Sequence, residues 1–444
     1  MDGRRGALAA LSGYFASVTV AAWLERAART HPDRPAVNDL TFAQLHAAAL
    51  RTAAGLDGVA AGDRVAIALA PGEDFAIALH AIWLRGAVAV PHDLRLKDAE
   101  RPAADHVLSG ALPSADPDAG GWTPVAHHDL SAPAAIIQTS GTSGVAKPIT
   151  LTYGNWLWSA LGSATALRSS GPERWLCALP LSHVGGLSIL VRGAISGGTA
   201  LVHDRWDTQR VLRALMEDDV TLVSVVPTTL ARLLDAGLSH PPALRCALVG
   251  GGPVAPELLR RAAAAGVPVA QTYGLTEACS QVTTQRPGDA QADAGPPLFC
   301  TRVRVADDGE IHVRGLTVAG SDPQFELATG DLGRLDAEGR LTVVGRKADT
   351  IVTGGENVAP TQVEAVLAEH PAVAEAAVLG RPDPEWGEAV HARVVLRAGS
   401  VVSEHALREH CAAHLASFKV PKEIRVVDGL PRTGSGKLRR SELR

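Results

Sequence analysis

Between residues 174 and 273 short apolar runs and helical patterns alternate without a break, and few folds accommodate that order. The runs near 175–179, 199–202, 220–226, 246–249 and 267–271 have the length of buried strands. Between them, 186–196, 208–218, 228–234 and 256–265 carry helical spacing. A strand, a helix and a second strand in succession pack as a βαβ unit, which makes the strands parallel. The same rhythm occupies residues 35–100, with apolar runs at 64–69 and 87–90 on either side of a helical pattern at 75–86. An α/β protein with mostly parallel sheets is the expectation.

The pattern changes near residue 297. Strands and turns follow at 302–305, 310–314 and 340–344, read as a distorted β subdomain of the large domain. After Gly345 and Arg346 a smaller α+β unit is expected, with helices at 360–369 and 403–414 and strands at 373–379, 389–396 and 424–427. The boundary falls at 345–349, giving a large domain over 1–345 and a small mobile domain over 346–444. Segment 101–131, rich in Pro, Asp, Gly and Ala, reads as a loop.

Composition narrows the function classes. A net charge of −5 without any basic block gives no footprint for nucleic acid or an anionic membrane. The semi-apolar run at 7–23 is interrupted by Ser12, Gly13, Tyr14, Ser17 and Thr19, so no secretory leader is expected. No apolar stretch reaches the ~18 residues of a membrane span. The five cysteines lie far apart with no C-x-x-C pair, which argues against a zinc site or a disulfide framework and for the reducing cytoplasm. A homo-oligomer is compatible with the sequence, which does not fix the assembly state.

Only six of the 42 basic residues are lysine: Lys97, Lys147, Lys347, Lys419, Lys422 and Lys437. Where arginine is so preferred, a lysine in a glycine-rich loop indicates a need for a compact, flexible ammonium. Lys147 closes one such loop, Thr139, Ser140, Gly141, Thr142, Ser143, Gly144, and Lys437 closes another after Gly434 and Gly436. Backbone N–H groups, rotatable hydroxyls and one cation together wrap a polyphosphate, although a polar hairpin turn has the same composition. A Walker loop is excluded, because strand-like patterns lie on both sides and Pro148 stands where the magnesium-binding hydroxyl belongs.

A second loop, Gln271, Thr272, Tyr273, Gly274, Leu275, Thr276 and Glu277, follows an apolar strand. It offers an aromatic face, a close-approach glycine, a hydroxyl and a carboxylate. These suit adenine, an α-phosphate and Mg²⁺ held by Glu277. Asp331, on a Gly-Asp turn, can accept two ribose hydroxyls.

In this order the segments resemble the acyl-adenylate-forming ligases, the superfamily of acyl-CoA synthetases, peptide-synthetase adenylation domains and luciferases. The resemblance spans 139–437 and implies ATP, Mg²⁺ and coenzyme A as cofactors. It assigns Thr276 to phosphate, Glu277 to metal, Asp331 and Arg346 to ribose, and Gly354 and Gly355 to the pantetheine tunnel. Lys437 would bridge the substrate carboxylate and the α-phosphate, with Lys147 on the phosphates. Gly251, Gly252 and Pro253 give a tight backbone approach to the nucleotide. Ala146 and Pro148 depart from the usual loop, and Ala348 stands where relatives place a hinge Asp or Lys.

The middle of the large domain resembles the o-succinylbenzoate–CoA ligases of menaquinone synthesis. His183 precedes Gly185 and Gly186, Arg192 follows nine residues after the histidine, and Ser280 and Gln281 follow the second loop. An aromatic usually precedes that histidine, whereas here Ser182 does. The resemblance implies an AMP-forming ligase that adenylates a small-molecule carboxylic acid and passes it to CoA. The substrate is a dianion, so its unreacting benzoate carboxylate needs a partner. Arg192 is the candidate, unless it lies on a solvated helix face. A ligase for another aromatic or medium-chain acid would keep the same ATP motifs. A non-catalytic nucleotide-binding regulator fits poorly with Glu277 and Lys437 both present.

Overall fold

The computed structural model describes residues 18–119, 121–139, 147–289, 291–320, 322, 324–432 and 438–443. Helices α1 (Trp23–Thr30), α2 (Phe42–Ala54) and α3 (Glu73–Leu84) open the large domain. The first sheet holds β1 (Arg64–Ala68), β2 (Val88–Pro91), β3 (His106–Ser109), β4 (Pro133–Thr139) and β5 (Lys147–Thr152), in the order β3–β1–β2–β4–β5. It is parallel except for β5, which runs antiparallel to β4.

After α4 (Tyr153–Ala166) comes the predicted alternation. It runs β6 (Arg174–Cys177), α5 (Val184–Ser196), β7 (Thr199–Val202), α6 (Thr208–Glu217), β8 (Leu222–Val225), α7 (Pro227–Asp235), β9 (Cys246–Val249), α8 (Pro256–Ala264) and β10 (Val269–Leu275). These strands pair in parallel, and β11 (Ser280–Thr284) turns back antiparallel onto β10. Buried Val, Leu and Ala on both faces of β8 and β9 explain why both read as unbroken apolar runs.

Strands β12 (Thr301–Val305), β13 (Glu310–Gly315), β14 (Leu327–Leu335) and β15 (Leu341–Arg346) form the antiparallel β subdomain. Helix α4 ties it to the large sheets. Thr152 and Asn155 close a reciprocal cap at the start of α4, and Asn155 Nδ2 donates to the carbonyls of Leu316 and Val318 at 3.0 and 2.9 Å. The C-terminal unit contains β16 (Ile351–Thr353), β17 (Glu356–Val358), α9 (Pro360–Glu369), β18 (Val373–Asp383), β19 (Gly387–Leu396), α10 (Glu404–His414) and β20 (Glu423–Val426).

Segment 101–131 corrects the sequence reading. It carries β3 and a further strand, His127–Asp129, which pairs with Thr19–Ala21. Both are too short, at four and three residues, to register a period of two among Pro and Gly neighbours.

His128 from that segment lies in the core. Its ring stacks on Tyr153 at 4.2 Å, and Trp23 and Trp83 meet it edge-on. His80 sits beside Trp83. Burial pushes the His80 imidazole down to about 3 and that of His128 down to about 4. An unfolded histidine titrates near ~6.5, so the unfolded chain takes up protons that the fold refuses as pH falls below that value. Stability is therefore fully present above ~6.5 and is lost toward acid, by about 2 kcal/mol per histidine at pH ~5. Urea titrations at pH 7.5, 6 and 5 should show the decline, and His80→Leu should flatten it; an equally steep decline in the variant would assign it to other groups.

Candidate functional site

Strands β4 and β5 bring Thr139 opposite Lys147, with the Thr139 hydroxyl donating to the Lys147 carbonyl at 3.2 Å. Ser140, Gly141, Thr142, Ser143 and Gly144 lie outside the described residues. The flanking strands β4 and β5 pair antiparallel, and Lys147 opens a strand rather than the helix that follows a Walker loop. The Lys147 side chain is exposed, and no carboxylate pairs with it among the described residues.

At the end of β10 the chain reverses through a short 3-10 turn, Thr276–Ala278, before β11. Cys279 and Ser280 complete the reversal at φ 50° and 89°, a backbone region that non-glycine residues enter at a cost. Gly274 is required by this geometry, because a Cβ there would lie 1.6 Å from the Ser280 carbonyl oxygen. Glu277 stands on the turn and pairs with no basic side chain among the described residues. Gln271 and Thr272 are committed elsewhere: Gln271 Nε2 donates to the Gln291 carbonyl and the Thr272 hydroxyl to that of Thr283. Nearby, Gly251 has φ 78°, and Gly252 and Pro253 are exposed after β9.

Three predicted residues meet at Asp331. The Tyr273 hydroxyl donates to its Oδ2 at 2.7 Å, and Arg346 Nε approaches its Oδ1 at 2.8 Å. The Asp331 N–H also donates to the Thr329 hydroxyl at 3.1 Å. Burial, then the Asp331 carboxylate, push the Tyr273 phenol up, so it stays a donor. A surface cavity lined by Thr329, Gly330, Arg346, Lys347 and Ala348 opens beside this group.

On the acid side His183 is the residue before α5, and Gly186 lets the helix begin beneath Pro180, whose carbonyl would lie 2.4 Å from a Cβ there. Gly185 has ordinary room. Arg192 is not on a solvated face: it is 6% exposed, and burial pushes its guanidinium down to about 10. Its Nη2 reaches the Ser159 hydroxyl at 3.4 Å, its guanidinium lies 5.1 Å from the Trp175 ring centroid, and its Nε has no hydrogen-bond partner. No carboxylate pairs with it among the described residues. Gln281 on β11 is buried with its Oε1 also unpartnered, while Ser280 is half-buried. The Ser159 hydroxyl donates to the Cys279 carbonyl at 2.6 Å, so α4, α5 and β11 converge here. Burial holds the Cys279 thiol well above its ordinary range.

Sequence reasoning missed Ser159 and Trp175, and also Asp93, which faces His183 from beyond β2. None stands in a motif. Gly354 and Gly355, at φ 58° and 82°, form the two-residue turn between β16 and β17. The Gly354 N–H donates to the Trp386 carbonyl at 2.8 Å, so the turn packs on its own unit. Lys437 lies outside the described residues, between the bridged Arg432 and Leu438.

The AMP-binding enzyme family matches residues 24–108 and 100–321, and the AMP-binding enzyme C-terminal domain matches residues 362–437. The chain belongs to the AMP-binding enzyme family. The 2-succinylbenzoate–CoA ligase of Bacillus licheniformis is 38% identical, with 95% of this chain and 98% of that protein covered. Among solved structures, the o-succinylbenzoate CoA synthetase of Bacillus subtilis in complex with the acyl-adenylate intermediate OSB-AMP superposes with a TM-score of 0.88. It is 36% identical, covering 96% of this chain and 98% of that one. The same enzyme in complex with ATP and magnesium gives 0.87 at 36% identity, covering 96% and 100%.

For this AMP-binding enzyme the tightest steric requirement at the site is Gly274. Gly274→Ala is expected to lose adenylation and to lower the thermal midpoint by several degrees, since relieving the clash must move the β10–β11 reversal by costs of ~1–3 kcal/mol or more. Wild-type activity and midpoint in the variant would refute the close approach.

Proposed function

We propose that the chain is an AMP-forming carboxylate–CoA ligase acting on o-succinylbenzoate, with ATP and CoA as co-substrates and o-succinylbenzoyl-CoA, AMP and pyrophosphate as products. The observation that carries the substrate is Arg192. A buried guanidinium with no carboxylate among the described residues is costly, and a second carboxylate on the substrate would relieve that cost. The names of the relatives support the same acid.

In the first half-reaction an oxygen of the succinyl carboxylate attacks the α-phosphorus of ATP and pyrophosphate leaves. Lys147 and Lys437 neutralise charge on the phosphates, and Thr276 donates to the α-phosphate. The Asp331 carboxylate, oriented by Tyr273 and Arg346, takes the ribose hydroxyls. Positioning and electrostatics suffice, so no nucleophilic side chain is needed. Glu277, a turn carboxylate without a cationic partner among the described residues, fits a magnesium ligand, and Mg²⁺ there would screen the phosphate charge. Arg192, Gln281 and Ser280 hold the benzoate end, with His183, Gly185 and Gly186 at the mouth of the acid site.

In the second half-reaction the CoA sulfur attacks the acyl carbonyl and AMP leaves. We assign this exchange to movement between two domains, divided at 1–345 and 346–444, and the ion pairs near that boundary support a pivot at 345–349. Arg346 is tied to Asp331, and Lys347 to Asp308 and Glu310 at 2.7 and 2.9 Å, all in the large domain. Asp349 is tied to Arg440 at 3.2 Å, which also grips Glu364 in the small domain. Ala348 lies between these ion-paired residues, and Thr361 of α9 also donates to the Val344 carbonyl of β15. Rotation about Ala348 would withdraw Lys437 and present the Gly354–Gly355 turn. Free cysteines at all five positions suit a cytoplasmic enzyme, and no helix among the described residues is long and apolar enough to cross a membrane.

CoA- and ATP-dependent AMP release should be fastest with o-succinylbenzoate among o-succinylbenzoate, benzoate, hexanoate and acetate. Arg192→Ala should raise the KM for that acid about 10- to 100-fold, the loss of one charge-assisted contact, while leaving the KM for ATP. Preference for a monocarboxylate would discard the substrate and keep the adenylation chemistry. The half-reactions separate with two further variants. Lys437→Ala should lose on the order of 10²–10³ in adenylation yet form thioester from supplied adenylate; Ala348→Pro should do the reverse, and equal losses in both steps would contradict the division of labour.

A further inference from the structure

Asp93, which no motif marks, faces the ring of His183. Its Oδ2 lies 3.9 Å from His183 Nε2. The carboxylate is held on its other side by Arg95. The Arg95 backbone N–H donates to Oδ1 at 3.1 Å, and its guanidinium donates to Oδ1 at 2.7 Å and to Oδ2 at 2.5 Å. Burial raises the Asp93 carboxyl, but the bonds from Arg95 outweigh it and leave the group below its ordinary value. An ionised carboxylate only 15% exposed therefore sits at the mouth of a site assigned to a dianion. Left to itself it would repel both substrate carboxylates. Its orientation explains its presence: a bidentate guanidinium fixes both oxygens, and Oδ2, which accepts from Arg95 Nη2, is the oxygen nearest the imidazole.

We propose that Asp93, fixed by Arg95, is a positioning residue that holds the His183 imidazole at the acid site by charge. Two segments take part: the one after β2 supplies both Asp93 and Arg95, and His183 is the residue before α5. The attraction strengthens as an acid displaces water from around the pair. The inference rests on the reading of His183 as an acid-site residue.

A double-mutant cycle tests it. Asp93→Asn keeps the oxygen that accepts the Arg95 backbone N–H and removes the charge; His183→Gln removes the ring. Kinetics are read with whichever acid of the panel gives the highest kcat/KM, at saturating ATP and CoA. Asp93→Asn is expected to lower kcat/KM about 10-fold, through KM for the acid and not for ATP, and the double variant should be no worse than His183→Gln. Arg95→Gln, which loosens the carboxylate without touching its charge, should give a smaller loss that likewise vanishes in the His183→Gln background; it serves equally if Asp93→Asn folds poorly. Losses that multiply, or an Asp93→Asn enzyme with wild-type constants, would overturn the proposal. Turnover of some other acid but not of o-succinylbenzoate would sink the substrate reading and leave this cycle measurable.

Discussion

One buried carboxylate holds the β subdomain and the parallel sheet in register. Asp331 belongs to β14 of the β subdomain, Tyr273 to the parallel sheet, and Arg346 to the last residue of β15. Removing such a group would leave a phenol and a guanidinium facing each other without their acceptor, which costs more than the pair gains. The carboxylate thus sets where the β subdomain sits against the sheet that carries Glu277. It also fixes Arg346, the last residue of β15. The end of β10 and the β14–β15 pair are consequently coupled through a single side chain.

The anchors on either side of Ala348 extend that coupling. Lys347 is exposed and its two ion pairs are individually weak in water, yet its partners lie close together, Asp308 on the turn before β13 and Glu310 its first residue. Asp349 is held by the deeper Arg440, whose other contacts are Glu364 and the Val378 carbonyl. Ala348 is the one residue of 346–349 that belongs to neither set of ion pairs. Alanine suits this place, having no side chain long enough to join either network.

Much of this was legible in the chain. The strand–helix alternation of 174–273 emerged because parallel strands are buried on both faces, so their apolar runs are continuous. The adenylate motifs stood out because glycine, hydroxyl and lysine clusters are rare in an arginine-rich sequence. The strands at 106–109 and 127–129 did not, being too short for a period. Asp93 and Ser159 were invisible for another reason. Their roles come from contacts with residues 90 and 33 positions away, and no local pattern encodes such contacts. The burial of Arg192 was likewise a tertiary fact, since the same helix spacing fits a solvated face.

The strained reversal after Glu277 carries a consequence for the enzyme's own sulfur. An acyl-adenylate is an electrophile awaiting a thiol, and any thiolate within reach would become acylated in place of CoA. Cys279 sits two residues from Glu277 on that reversal, with its sulfur turned into the protein and its thiol held protonated by burial. Cys177 and Cys246 are buried in the same way. The fold thereby leaves the activated acyl group to a sulfur that arrives from outside, with these three thiols buried rather than absent.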